Sequence, residues 1–149
     1  MESSTYKKLH SQETLVLVLS QGAGTDAIFG RLITRNLKHY IQALENRTTD
    51  EDVESFEALS YTWDPSLRGY PFPTEDGIVQ ITLSLKIALQ RLRLANKHRI
   101  LWADGICINQ DDLSEREEQV RLMGDIYRTA RRTVVFLGEE TRAPQGSIC

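Results

Sequence analysis

The sequence predicts an α/β domain, a mostly parallel sheet flanked by helices, with an added N-terminal β element. Three observations predict it. Short strand-like segments, apolar runs at 14–20, 99–103 and 133–138 and an alternating one at 56–61, recur along the chain. Apolar residues at helical spacing fill the stretches between the later runs. Residues 99–138 read as strand, helix, strand, a crossover that joins parallel strands with right-handed sense.

The totals suit one soluble domain. At 149 residues the chain can bury a real core, and 40% hydrophobic against 26% charged residues is an ordinary globular balance. A net charge of −3 argues neither for nucleic acid nor for an anionic membrane. No apolar run approaches the ~18–20 residues of a membrane span, and "MESSTYKKLHSQE" lacks the apolar centre of a secretory signal. Cys107 and Cys149 make no disulfide framework, so a reduced, cytoplasmic setting is expected. His10, His39 and His98 have no metal-ligand spacing with either cysteine, so no zinc site is expected. The domain takes in 1–149, with a core of about 14–139, an acidic loop at about 45–55, an irregular loop at 63–77 and a tail at 140–149.

In chain order, "TLVLVLS" (14–20) is the first strand. "GAGTDA" (22–27) fits the dinucleotide pattern G-x-G-x-x-A, which also needs a second strand ending in an acid about 20 residues on. Glu45 falls inside or beside a helical pattern instead, so a glycine-rich turn is the better reading. Ile28, Phe29, Leu32, Ile33, Leu37, Tyr40, Ile41 and Leu44 could form one helix face. "FEALSY" (56–61) alternates and should be a strand, whereas "WDPSLRGYPFPTEDG" (63–77), with three of the four prolines, reads as a long irregular connection. Leu85, Ala88, Leu89 and Leu92 predict a helix over 84–95. From Gly77 to Ala103 there is no acid, and Lys86, Arg91, Arg93, Lys97 and Arg99 could mark a phosphate or nucleic-acid surface, but the better reading is a solvated face whose later charges suit the helix C-terminus. In the next helix Ser114 and Glu117 form a capping box, Glu117 and Arg121 an i,i+4 pair, and Val120, Met123, Tyr127 and Ala130 one face. "TVVFLG" (133–138) is the closing strand.

"ILWADGICINQDD" (100–112) poses the functional question. An apolar strand runs directly into Asp104, Asn109 and Gln110, which either tie down a difficult loop or face a ligand. In parallel sheets ligands bind beyond the carboxyl ends of the strands, where Asp104 falls. The helix near Ser114 would open there with unpaired N–H groups, and a parallel strand 56–61 would bring Tyr61, Trp63 and Asp64. Such a pocket suits a nucleotide or a sugar phosphate. Against this, Glu115 and Glu117 can complement the helix dipole, Trp63 and Trp102 can be core, and Cys107, without a basic partner, reads as a small buried hydrophobe.

"FEALSYTW" (56–63), "ILWADGICINQ" (100–110) and "EREEQVRLMGDIYRTARRTVVFLGE" (115–139) resemble, in order and spacing, the signature blocks of the HET (heterokaryon-incompatibility) domain. "YKKL" and "IFGRLITRNL" are similar to its weaker opening region, so the resemblance covers almost the whole chain. It implies that 28–33 is extended rather than helical. The chain departs from the family pattern at Asp64, where Gly is usual, at Gly105, where Ala is usual, and at Ser84, where Asn is usual.

The resemblance implies a fungal effector of non-self recognition and programmed cell death, with a flavodoxin- or TIR-like sheet. Some TIR domains cleave NAD with a glutamate, which would fall here near or beyond Glu139 and Glu140. Two expectations follow. In one, an oligomer hydrolyses NAD or NADP as substrate and needs no cofactor or metal. Glu115 or Asp104 stabilises the ribosyl cation, Trp63 or Trp102 stacks on the base, Tyr61, Asn109 and Gln110 contact substrate, and Arg116 meets phosphate. In the other the domain is a non-catalytic self-association scaffold. An upstream sensor, itself unidentified, is a partner in both; membrane and nucleic acid are not.

Overall fold

A computed structural model describes residues 6–46, 55–61 and 68–138. Most of the acidic loop, Trp63, Asp64, Glu139, Glu140, Cys149 and the tail lie outside the described residues. Seven strands form one sheet: β1 (Glu13–Leu19), β2 (Gly30–Asn36), β3 (Glu57–Tyr61), β4 (Tyr70–Thr74), β5 (Gly77–Ile81), β6 (Arg99–Trp102) and β7 (Arg132–Phe136). Four helices accompany them: α1 (Leu37–Asn46), α2 (Leu83–Leu92), α3 (Asp104–Cys107) and α4 (Leu113–Thr129).

The strand order is β5-β4-β2-β1-β6-β3-β7. On one side β6, β3 and β7 run parallel, as the 99–138 unit requires, with β3 lying between the two strands that α4 connects. β1, however, is antiparallel to both β2 and β6, and β4 to β5. The sheet is therefore mixed, not mostly parallel. Nor is the N-terminal β element an addition at the margin. β1 is central, and its run of Val and Leu is buried from Thr14 to Leu19, as a strand covered on both faces demands.

Several local expectations are corrected. Residues 70–81 are a hairpin rather than irregular chain. Pro71 and Pro73 lie two apart, so their missing N–H groups share one side of β4. Because β4 meets β2 only at the Gly30–Thr74 pair, that side can lack donors. The turn is held by Thr74, whose hydroxyl donates to the Gly77 carbonyl at 2.6 Å and accepts from the Asp76 N–H. The apolar pattern from Ile28 to Leu44 splits into β2 and α1 instead of forming one helix face, and 28–33 is extended, as the family resemblance implied. α4 begins a residue before the anticipated cap, so Asp112 rather than Ser114 caps it, its carboxylate accepting from Glu115 N at 3.1 Å. Its buried face is Gln119, Leu122, Ile126 and Thr129, while Val120 is 61% exposed. Arg121 pairs with Glu118 one turn back, not with Glu117.

The basic stretch is only partly a solvated face. Arg93 is buried, and its guanidinium donates to the carbonyls of Gly24 at 3.0 Å and Ala27 at 3.3 Å. A Cβ at Gly22 would stand 2.9 Å from that guanidinium. A phosphate loop turns N–H groups inward; this loop turns carbonyls inward onto a cation, the opposite polarity, and the dinucleotide reading fails for that reason. Arg99 donates to the Glu57 carboxylate at 2.7 Å and to the Leu92 carbonyl at 2.7 Å.

The core packs Leu17, Leu19, Leu59, Leu101 and Ile106 between the sheet and its helices, with Phe56 edge-on to Tyr40 at 5.3 Å. A buried polar chain crosses it. The Trp102 indole donates to the Thr14 hydroxyl at 3.1 Å, and that hydroxyl donates to Gln119 Oε1 at 2.6 Å. Gln119 Nε2 then donates to the Glu13 carbonyl at 2.8 Å. One chain of hydrogen bonds thus joins β6, β1 and α4 with its donors matched to acceptors.

Candidate functional site

β3 and β6 both end at one edge, so Tyr61 arrives beside Asp104, the first residue of α3. The Tyr61 hydroxyl and the Asp104 carboxyl lie close enough to influence each other's ionisation. Burial raises the Asp104 pKa above the usual carboxylate range, and it outweighs the Tyr61 hydroxyl and the backbone N–H groups that favour ionisation. The Tyr61 pKa is raised too, by burial first and then by the Asp104 charge. Gly105 makes the juxtaposition possible, since a Cβ there would lie 2.4 Å from the Tyr61 hydroxyl oxygen.

The loop after α3 answers the question of its polar residues. Gln110 Nε2 donates to the Asp104 carbonyl at 2.7 Å and the Ile108 carbonyl at 3.2 Å. Asn109 Oδ1 accepts from Asp111 N at 3.1 Å, and Asn109 N donates to Glu115 Oε2 at 2.6 Å. The Glu115 pKa is raised by burial, against the Asn109 hydrogen bond, which lowers it. Tyr6 reaches over from the N-terminal segment to donate to the Ile106 carbonyl at 2.8 Å. The side chains of Asn109, Gln110 and Glu115 therefore serve the loop backbone. At the start of α4 Asp112 occupies a first-turn N–H and adds negative charge, so the end is not the open anion site that spacing suggested.

Asp104, Gln110 and Arg116 meet in a cleft of about 170 Å³ whose apolar wall is Ile108, Val120 and Met123. Glu115 faces a different cleft of about 330 Å³, beside Lys8, His10 and Ser11 of the N-terminal segment. Trp102 is wholly buried, packed edge-on against Tyr127 at 5.8 Å, and so offers no face on which a base could stack. Cys107 is buried as well, and burial pushes its thiol up to about 12, which suits the small-hydrophobe reading. Among the described residues no group of three or more His, Cys, Asp or Glu stands together to hold a metal, and no helix is long and apolar enough to cross a membrane.

Residue spacing gave no warning of Tyr6, Thr14, Gln119 or Glu57. For Glu57 a signal existed: an acid between Phe56 and Ala58 in an apolar strand needs a cation, and Arg99 and Arg132 open the two neighbouring strands.

Comparison with known proteins adds a sequence relationship. Residues 56–147 match the family model described as Heterokaryon incompatibility protein (HET). Heterokaryon incompatibility protein 6, OR allele, of Neurospora crassa is 40% identical over 97 residues, a match taking in 56% of this chain and 14% of that protein. The chain thus spans only a small part of that relative's length. No solved structure matches.

Proposed function

The chain belongs to the heterokaryon incompatibility (HET) family, and from that premise we propose that it is a cytoplasmic effector domain of fungal non-self recognition whose engagement leads to cell death. The family match over 56–147 is the observation that carries this reading. Its chemical form is TIR-like hydrolysis of NAD or NADP at the nicotinamide–ribose bond. The cleft at the strand ends supports that form through one carboxyl, Asp104, and one exposed cation, Arg116. Ionised Asp104 stabilises the ribosyl cation that develops as nicotinamide leaves and water adds, while Arg116 meets a phosphate. Glu115 acts as a positioning residue that holds Asn109. At about 170 Å³ the cleft takes one end of the dinucleotide, below the ~300–1,000 Å³ of a typical ligand pocket, so the remainder lies along the surface.

A second reading has its own support. Asn109, Gln110 and Glu115 are engaged with loop backbone, and β7, at one end of the sheet, exposes Val135 at 52%. A non-catalytic module that self-associates through that edge would need nothing more.

Nicotinamide release from NAD and NADP, followed over a wide range of protein concentration, separates the two. The enzyme releases it with a steep concentration dependence, loses about 100-fold or more with Asp104→Asn while staying folded, and gains rate as pH rises through the raised pKa of Asp104. No release at any concentration from folded, self-associating protein establishes the scaffold.

A further inference from the structure

The opposite edge of the sheet holds a concavity of about 600 Å³. It lies where β3, β6 and β7 begin and is lined by Lys97, His98, Arg99, Arg131 and Arg132 with Ser55, Leu94 and Ile100. Among the described residues Glu57 is the one acid in its lining, and Arg99 and Arg132 already bind both its oxygens. Lys97 and Arg131 are exposed, as is Arg132, whose side chain is 58% accessible. Among the described residues the surplus is local, since the whole chain carries −3. Cations gathered this way from the turn before β6 and the link before β7 repel one another unless an anion joins them.

We propose that this cleft binds a small molecule bearing linked phosphates, a site distinct from the Asp104 edge. A diphosphate concentrates several charges in a compact group, matching several cations at once, where a carboxylate brings one. Guanidinium forks take such oxygens in pairs, and the volume is in the range of small-ligand pockets. Among the described residues no Trp, Tyr or Phe lines the cleft, so recognition rests on the phosphates and not on a stacked base. The concave form and negative chain likewise favour a compact anion over a nucleic-acid strand.

Inorganic pyrophosphate, titrated calorimetrically into the whole chain at low and moderate salt, tests the site. Binding is expected, weakening as salt rises, at least tenfold weaker in the Lys97→Gln/Arg131→Gln double variant, and unchanged in Lys38→Gln, whose residue is exposed at the opposite edge. Both cleft residues are exposed, and a matching thermal midpoint confirms that the double variant is folded. A nucleoside diphosphate should bind within a few-fold of pyrophosphate. Absence of heat, binding that survives the double variant, equal loss in Lys38→Gln, or a preference above tenfold for the nucleotide would each overturn the proposal.

Discussion

Thr14 shows how much one hydroxyl can organise. It accepts from the Trp102 indole and donates to Gln119, so its loss strands two buried partners at once. Thr14→Val keeps the shape and removes the oxygen. It should cost about 1–3 kcal/mol in urea unfolding, the penalty for buried groups left unsatisfied. Trp102→Phe in the Thr14→Val background should then cost less than in the native chain; strict additivity would mean that the two do not act together. Asp104 carries the opposite sign. Its folded pKa is raised by burial, so its contribution is most favourable below its unfolded pKa and declines as pH climbs through the folded one. Asp104→Asn should therefore gain stability relative to the native chain as pH rises from 4 to 8, and a flat difference over that range would refute the assignment. That Asp104 would end a strand was legible from "ILWAD". That Glu115 and the two amides would serve the loop was not, because spacing does not distinguish a side chain turned to backbone from one turned to a cleft.

At the scale of elements, α4 illustrates what patterning can and cannot deliver. The helix, its length and its place between two parallel strands were readable from apolar spacing. Its rotation was not. Val120, Met123 and Tyr127 look like a face, yet the buried polar residues Gln119 and Thr129 turn the helix so that Leu122 and Ile126 point inward. A polar residue that a buried hydroxyl will satisfy counts as surface in any pattern of hydrophobicity. The two cap readings make different forecasts. Asp112→Ala should lower stability by about 1 kcal/mol, while Ser114→Ala should change it by no more than a few tenths. Parity between the variants in thermal unfolding would restore Ser114 as the cap. The β4–β5 hairpin was missed for a related reason: proline argues against a strand only where both edges are paired, and partner strands are not visible in one sequence.

Across the whole molecule, the parallel half of the sheet was legible and the antiparallel half was not. A strand–helix–strand unit fixes relative direction by its own connection, whereas β1 meets β6 through contacts far apart in sequence. The amino ends of three strands are joined by Glu57 of β3, which receives Arg99 of β6 and Arg132 of β7. Burial raises its pKa, but the hydrogen bonds from the two arginines outweigh that and hold it below the usual carboxylate range. A depressed carboxylate contributes stability above its unfolded pKa and loses it as pH falls through the folded value. Glu57→Gln should thus cost about 3 kcal/mol at neutral pH, and its deficit should shrink below pH 4. A deficit that persists undiminished at pH 3 would point to lost packing instead.

The guanidinium inside the "GAGTDA" turn has a practical corollary. Loops whose carbonyls converge on a cation commonly take that cation from solution, and then their order rises and falls with ion supply and vanishes under chelation. Here the cation is tethered to the end of α2 through the chain itself. The turn is therefore expected to hold its order without calcium or magnesium and to be unmoved by chelator, with its register set by α2 through Arg93.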